Sequence, residues 1–134
     1  MIFGIGTDIV QIDRLQKPIL RFGDKFAKFI LNEHEIEEWL AINNQSIERK
    51  SRFMAKRFAA KEATAKAFGT GFRQGLSFKH IGISHDGLGK PILIFSDIAQ
   101  QLAKKHHIQH THLSLSDEKD YCSAMVILET AISS

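Results

Sequence analysis

The chain has one cysteine, Cys122, among 134 residues, so no disulfide can form within it. Prolines number only two, which excludes a proline-rich linker or recognition segment. A lone Trp and a lone Tyr leave little with which to build the stacking platforms of single-strand nucleic-acid binders. No stretch approaches the roughly 20 apolar residues that cross a bilayer. The first residues, MIFGIGTDIV, carry neither a basic start nor a small-residue cleavage site, which speaks against a signal peptide. With no export signal and a single thiol, a cytoplasmic protein without a membrane partner is expected.

What is present is ordinary globular material. Apolar residues make up 43% and charged residues 25%, far from a disordered composition. The length predicts a single domain over 1–134. Ten phenylalanines are many for a chain this short, which buries only about two-thirds of its surface, so self-association is expected. The net charge of +3 is unevenly spread. Arg14, Lys17, Arg21, Lys25 and Lys28 outweigh Asp13 and Asp24. Glu33, Glu35, Glu37 and Glu38 then form an acidic run, and residues 48–73 carry eight basic side chains against Glu48 and Glu62. Two basic segments point to an anionic partner: a phosphorylated small molecule, an acidic protein or nucleic acid.

Hydrophobic periodicity predicts an α+β fold. Residues 2–8 alternate as a strand, with Gly4, Gly6 and Asp8 on one face, a trough in which a phosphate could approach the backbone. Residues 13–22 read as a helix that Pro18 must kink or restart. Residues 25–31 could form a second short helix. Asn32 with Glu35 three residues on is a capping-box pattern opening a helix to about Leu40. Residues 48–68, alanine-rich and closed by Gly69, predict a long, largely buried helix. One of its stripes carries Ala55, Phe58, Ala59, Glu62 and Lys66. Strands are expected at 77–83 and 91–96, a helix at 97–107, and a final hairpin at 111–116 and 121–129.

Two carboxylates stand out. Glu62 on a small, apolar helical stripe is costly unless paired or bound to a cation. Lys66, one turn on, offers an ordinary intrahelical ion pair as the structural explanation. Asp8 follows the glycine face, where it either caps the next helix or serves as a hard oxygen ligand. Together Asp8 and Glu62 would suit magnesium, which takes few protein carboxylates. Other patterns carry less. Gly4-Ile5-Gly6 lacks the third glycine of a dinucleotide fingerprint and no βαβ unit follows. Ser84-His85-Asp86 are sequence neighbours that cannot form a triad. His106, His107, His110 and His112 match no standard zinc spacing, and Cys122 falls in a strand as a core residue.

Three motifs, GIGTDIVQIDR at 4–14, RFAAKEATAKAFGTG at 57–71 and GLGKP at 87–91, resemble the holo-acyl-carrier-protein synthases, the small bacterial 4'-phosphopantetheinyl transferases. Their order and spacing span nearly the whole chain. The resemblance implies a fold with an antiparallel sheet packed on a long buried helix, and a trimer with sites between subunits. It implies transfer of the 4'-phosphopantetheine arm of coenzyme A to a serine of apo-acyl carrier protein, releasing 3',5'-ADP, in support of fatty acid biosynthesis. By that resemblance Asp8 and Glu62 hold magnesium, and Lys66 lies by the diphosphate and assists proton movement. The resemblance likewise implies that Arg57, Lys61, Gly69, Gly89, Lys90 and Pro91 lie near coenzyme A. The basic stretch of Arg14, Arg21, Lys25 and Lys28 implies a docking surface for the acidic carrier. One departure is visible: Asp117 stands where some relatives have His between the last two strands, so no role passes to it.

The chemistry suits these residue types. Attack on the β-phosphorus builds charge that magnesium neutralises, the serine proton must pass to Glu62 directly or through water, and a lysine stabilises the leaving phosphate. The competing classes are a nucleic-acid binder, which lacks a recognition motif, and a structural trimer with a decayed site, against which Asp8, Glu62 and Lys66 argue.

Overall fold

A computed structural model describes residues 1–131. Strand β1 (Ile2–Gln11) leads through a 3-10 turn (Ile12–Leu15) into helices α1 (Gln16–Phe22), α2 (Asp24–Ile30) and α3 (Glu33–Ala41). The long helix α4 (Ile47–Phe68) follows. Strands β2 (Ile81–His85) and β3 (Pro91–Phe95), helix α5 (Asp97–Lys105), and strands β4 (Ile108–Asp117) and β5 (Tyr121–Thr130) complete the order.

Local chemistry accounts for most boundaries. Pro18 is the third residue of α1, where the backbone donors have no intrahelical partner, so the helix restarts ahead of it. Asn32 and Glu35 form the expected capping box, each side chain accepting from the other's backbone N–H. Ser46 caps α4 by accepting from the Arg49 N–H, and Gly69 closes it in the left-handed conformation at φ 83°. Several boundaries differ from expectation: the segment at 13–22 opens as a 3-10 turn, α5 ends at Lys105 and β4 begins at Ile108. The strand expected at 77–83 begins as a 3-10 turn over Phe78–His80, and β2 runs from Ile81 to His85.

The sheet is antiparallel in the order β1-β5-β4, and β2 pairs with β3 in a separate two-stranded sheet. The α+β class and the antiparallel sheet on a long helix therefore hold. Val10, Leu113, Ala124, Val126 and Leu128 form the inner face of the three-stranded sheet and are buried with the alanines of α4. Cys122 belongs to that core, where burial pushes its thiol up to about 11.

The glycine face of β1 corrects a sequence expectation. A Cβ on Gly4 would lie 1.9 Å from the Ala67 carbonyl oxygen, and one on Gly6 would lie 1.8 Å from that of Ala63. The trough is filled by the backbone of α4, and no phosphate can enter it. The glycines instead let the strand and helix backbones touch, which carries Asp8 to the flank of α4. The opposite face of the sheet leaves large apolar side chains exposed among hydroxyl side chains: Ile5 is 56% exposed, Ile9 69% and Met125 44%.

Candidate active site

Asp8 is two-thirds of the way along β1, inside the strand and paired opposite Ala124. It therefore caps no helix, and the capping explanation falls away. Glu62 and Lys66 lie one turn apart on α4, yet they do not pair with each other. The Lys66 ammonium crosses to β1 and donates to the Thr7 carbonyl at 2.9 Å and to Asp8 Oδ1 at 3.1 Å. Glu62, half-buried, has no hydrogen-bond or ion-pair partner among the described residues. Its carboxyl is raised from the ordinary range, first by burial and then by the Asp8 charge, with Lys66 opposing.

Asp8 separates two pockets. One, of about 460 Å³, is lined by Asp8 and Glu62 with Arg14, Pro18, Phe26 and Phe58. The other, of about 500 Å³, is lined by Asp8, Lys66 and Thr7 and extends to Ser114, Ser116 and Ser123. Of two neighbouring carboxylates, Asp8 holds the one ammonium and Glu62 is left without a cation. That donor set fits a hard divalent ion, which takes oxygen ligands and needs few from the protein. The pocket wall of Phe26 and Phe58 was not singled out in the sequence as part of a site. Its one signal there was the placement of Phe58 on the Glu62 stripe.

Arg57 and Lys61, expected beside coenzyme A, are buried in the interior. Lys61 is fully buried and uses all three ammonium donors: on Glu35 Oε1 at 2.6 Å, the Ile81 carbonyl at 2.7 Å and the Phe78 carbonyl at 3.1 Å. Burial lowers its pKa, with Glu35 pulling the other way. Arg57 is also buried, donating to Glu35, Glu38 and the Ile83 carbonyl, with its guanidinium over the Phe53 ring. Both side chains are committed to interior partners, Lys61 with all three of its donors and Arg57 through both terminal guanidinium nitrogens. Glu35 is the hub of this cluster, because its carboxylate also accepts from the Asn32 and Ile83 N–H groups.

Gly89, Lys90 and Pro91 lie at the β2–β3 turn, where Asp86 Oδ1 accepts from the Leu88 and Lys90 N–H groups and its pKa falls accordingly. Together with Gly69, they do not line either pocket beside Asp8. Arg14, Arg21, Lys25 and Lys28 are exposed along the 3-10 turn, α1 and α2. Arg14 alone reaches the pocket of the two carboxylates. Asp117 is clamped by Arg52 at 2.6 Å and Lys56 at 3.4 Å, and Arg52 also donates to the Glu118 and Lys119 carbonyls. The turn between β4 and β5 is thereby tied to α4.

The chain matches the 4'-phosphopantetheinyl transferase superfamily over residues 4–126. It is 50% identical over 129 residues to a holo-[acyl-carrier-protein] synthase of Vibrio cholerae, covering 96% of this chain and 98% of that one. The holo-[acyl-carrier-protein] synthase structure from Neisseria meningitidis superposes with a TM-score of 0.87 at 42% identity, over 97% of this chain and all of the other. The holo-(acyl-carrier-protein) synthase of Bacillus anthracis, solved in complex with CoA (3',5'-ADP), gives 0.79 at 39% identity over 98% and 99% of the two chains.

Proposed function

The chain belongs to the 4'-phosphopantetheinyl transferase superfamily, and from that premise we propose that it is a holo-acyl-carrier-protein synthase. It moves the 4'-phosphopantetheine arm of coenzyme A onto a serine of apo-acyl carrier protein, giving holo-carrier and 3',5'-ADP and supporting fatty acid biosynthesis in the cytoplasm. The observation that carries this reading for the site is the Asp8–Glu62 pair, with Glu62 left without a cationic partner.

Asp8 and Glu62 would hold magnesium, which when bound neutralises the charge that builds on the diphosphate. The serine hydroxyl attacks the β-phosphorus and gives its proton to Glu62, directly or through water. The bond from that phosphorus to the departing 3',5'-ADP oxygen breaks, and the Lys66 ammonium stabilises the leaving phosphate. Gly69, Gly89, Lys90 and Pro91 are retained as coenzyme A contacts. Arg14, Arg21, Lys25 and Lys28 meet the acidic carrier, with Arg14 bridging the docking surface and the reacting centre.

A trimer with shared sites is part of the proposal. Two observations support it: the exposed apolar side chains of Ile5, Ile9 and Met125 on the sheet, and the absence of Gly89–Pro91 from the lining of the pockets beside Asp8. Light scattering should find a trimer, and an active monomer would refute this part. For membrane contact, no described helix is long and apolar enough to span a bilayer. The activity itself is tested by incubating the protein with apo-acyl carrier protein, coenzyme A and magnesium. The carrier should gain the phosphopantetheine mass, and an unmodified carrier with long incubation would sink the proposal.

A further inference from the structure

Lys66 has a partner that its sequence position does not suggest. Spaced four residues from Glu62, it would be expected to pair within the helix. Instead its ammonium lies against β1, on Asp8 Oδ1 and the Thr7 carbonyl. The Lys66 side chain is 53% exposed and that of Asp8 16%. A long, half-exposed side chain held by one ion pair and one carbonyl is weakly committed, because ordering it costs rotamer entropy and water screens the pair. The Asp8 carboxylate, set in the strand, is the fixed partner.

The three side chains carry two negative charges and one positive. A divalent cation placed between Asp8 and Glu62 would use the lone pairs of the same Asp8 carboxylate on which Lys66 donates. It would also stand within a few ångströms of the ammonium, where like charges repel. We propose that Lys66 and a divalent cation compete for Asp8, so that cation binding releases Lys66 from β1 into the adjoining pocket. This rests on reading Asp8 and Glu62 as the cation ligands. The consequence is an order of events. The lysine charge becomes available to a phosphate only once the cation is in place, and before that it neutralises Asp8.

The test uses Mn2+ as the probe and the intact protein without coenzyme A, with free Mn2+ followed by electron paramagnetic resonance. Wild type is compared with Lys66→Met, Lys66→Arg and Asp8→Asn, each checked for an unchanged melting temperature. Lys66→Met should bind Mn2+ roughly three- to ten-fold more tightly, the range open to loss of a partly exposed opposing charge. Lys66→Arg should stay within about two-fold of wild type, and Asp8→Asn should abolish the binding. An unchanged or weaker affinity in Lys66→Met, with Asp8→Asn still abolishing it, overturns the competition and leaves the cation reading standing. Absence of any Asp8-dependent Mn2+ binding in wild type overturns both.

Discussion

Helix α4 carries two charge clusters little more than a turn apart, and they are built on opposite terms. At Arg57 and Lys61 it faces α3 and β2, and every charge is met. Glu35 accepts from four donors, Lys61 has three acceptors, and Arg57 is held by two carboxylates and a carbonyl. At Glu62 and Lys66 the same helix faces β1, and the account does not close. Lys66 serves Asp8, and Glu62 stands beside a second carboxylate with no cation of its own. A fully satisfied buried cluster fixes how elements pack, while an unsatisfied one at a pocket is poised for a ligand or a proton. Charge alone does not separate the two kinds; completeness of pairing does.

The largest effect is expected where pairing is incomplete. Asp8→Ala and Glu62→Ala should each lower kcat/KM for carrier modification by about a hundred-fold or more, measured by mass addition at saturating magnesium. Their melting temperatures should hold or rise, since each change relieves like-charge repulsion. Near-normal turnover in either variant would break the comparison at its functional end.

Lys61→Met tests the other end. It leaves Glu35 buried opposite a lost charge, and breaking such a pair costs about 3–5 kcal/mol. Denaturant unfolding reads this directly, and a loss below about 1 kcal/mol would show that the cluster is no more than a surface-type pair.

A smaller effect belongs to the exposed charges outside both clusters. Reversing Arg14 and Arg21 together should raise the carrier KM several-fold and make it less sensitive to salt, with the coenzyme A KM nearly unchanged. An unmoved carrier KM would place docking elsewhere. The basic segment at 49–57 is a poor second choice, because Arg57 is buried and Arg52 and Lys56 are held by Asp117.

The smallest is a pH effect. The folded-state pKa of Glu62 is raised, so the folded state binds its proton more tightly than the unfolded chain. The contribution of Glu62 therefore favours folding at low pH, and that advantage is lost as pH rises from the ordinary glutamate range through the raised value. Glu62→Gln should flatten this part of the melting-temperature profile. A wild-type and variant profile of the same shape across mildly acidic pH would contradict the sign.

How much of this the sequence disclosed depends on the range of the interaction. Local patterns were readable: the Asn32–Glu35 box, the restart at Pro18 and the Gly69 stop all depend on residues within a few positions. Asp8 and Glu62 stood out because a carboxylate on an apolar or glycine-lined face is costly wherever it lies. The motif at 57–71 did not disclose the buried pairing of Arg57 and Lys61, although a helical wheel sets both apart from the stripe of Glu62 and Lys66. The partners of Arg57 and Lys61 lie 17–26 residues away along the chain, on α3 and at or just before β2. Glu35 had a complete local explanation as a cap, so nothing in the sequence called for its second role. The glycine trough failed for the same reason, because its occupant is a helix about sixty residues on.

The comparison is tested most directly by Glu35→Gln and Glu62→Gln side by side, each read for melting temperature and for kcat of the folded fraction. The account predicts a crossing. Glu35→Gln should melt well below wild type and retain most of its kcat, whereas Glu62→Gln should melt with wild type or above it and lose nearly all turnover. If both variants lost stability and turnover in proportion, or if Glu62→Gln kept a wild-type kcat, the division of α4 into a structural and a reactive cluster would be wrong.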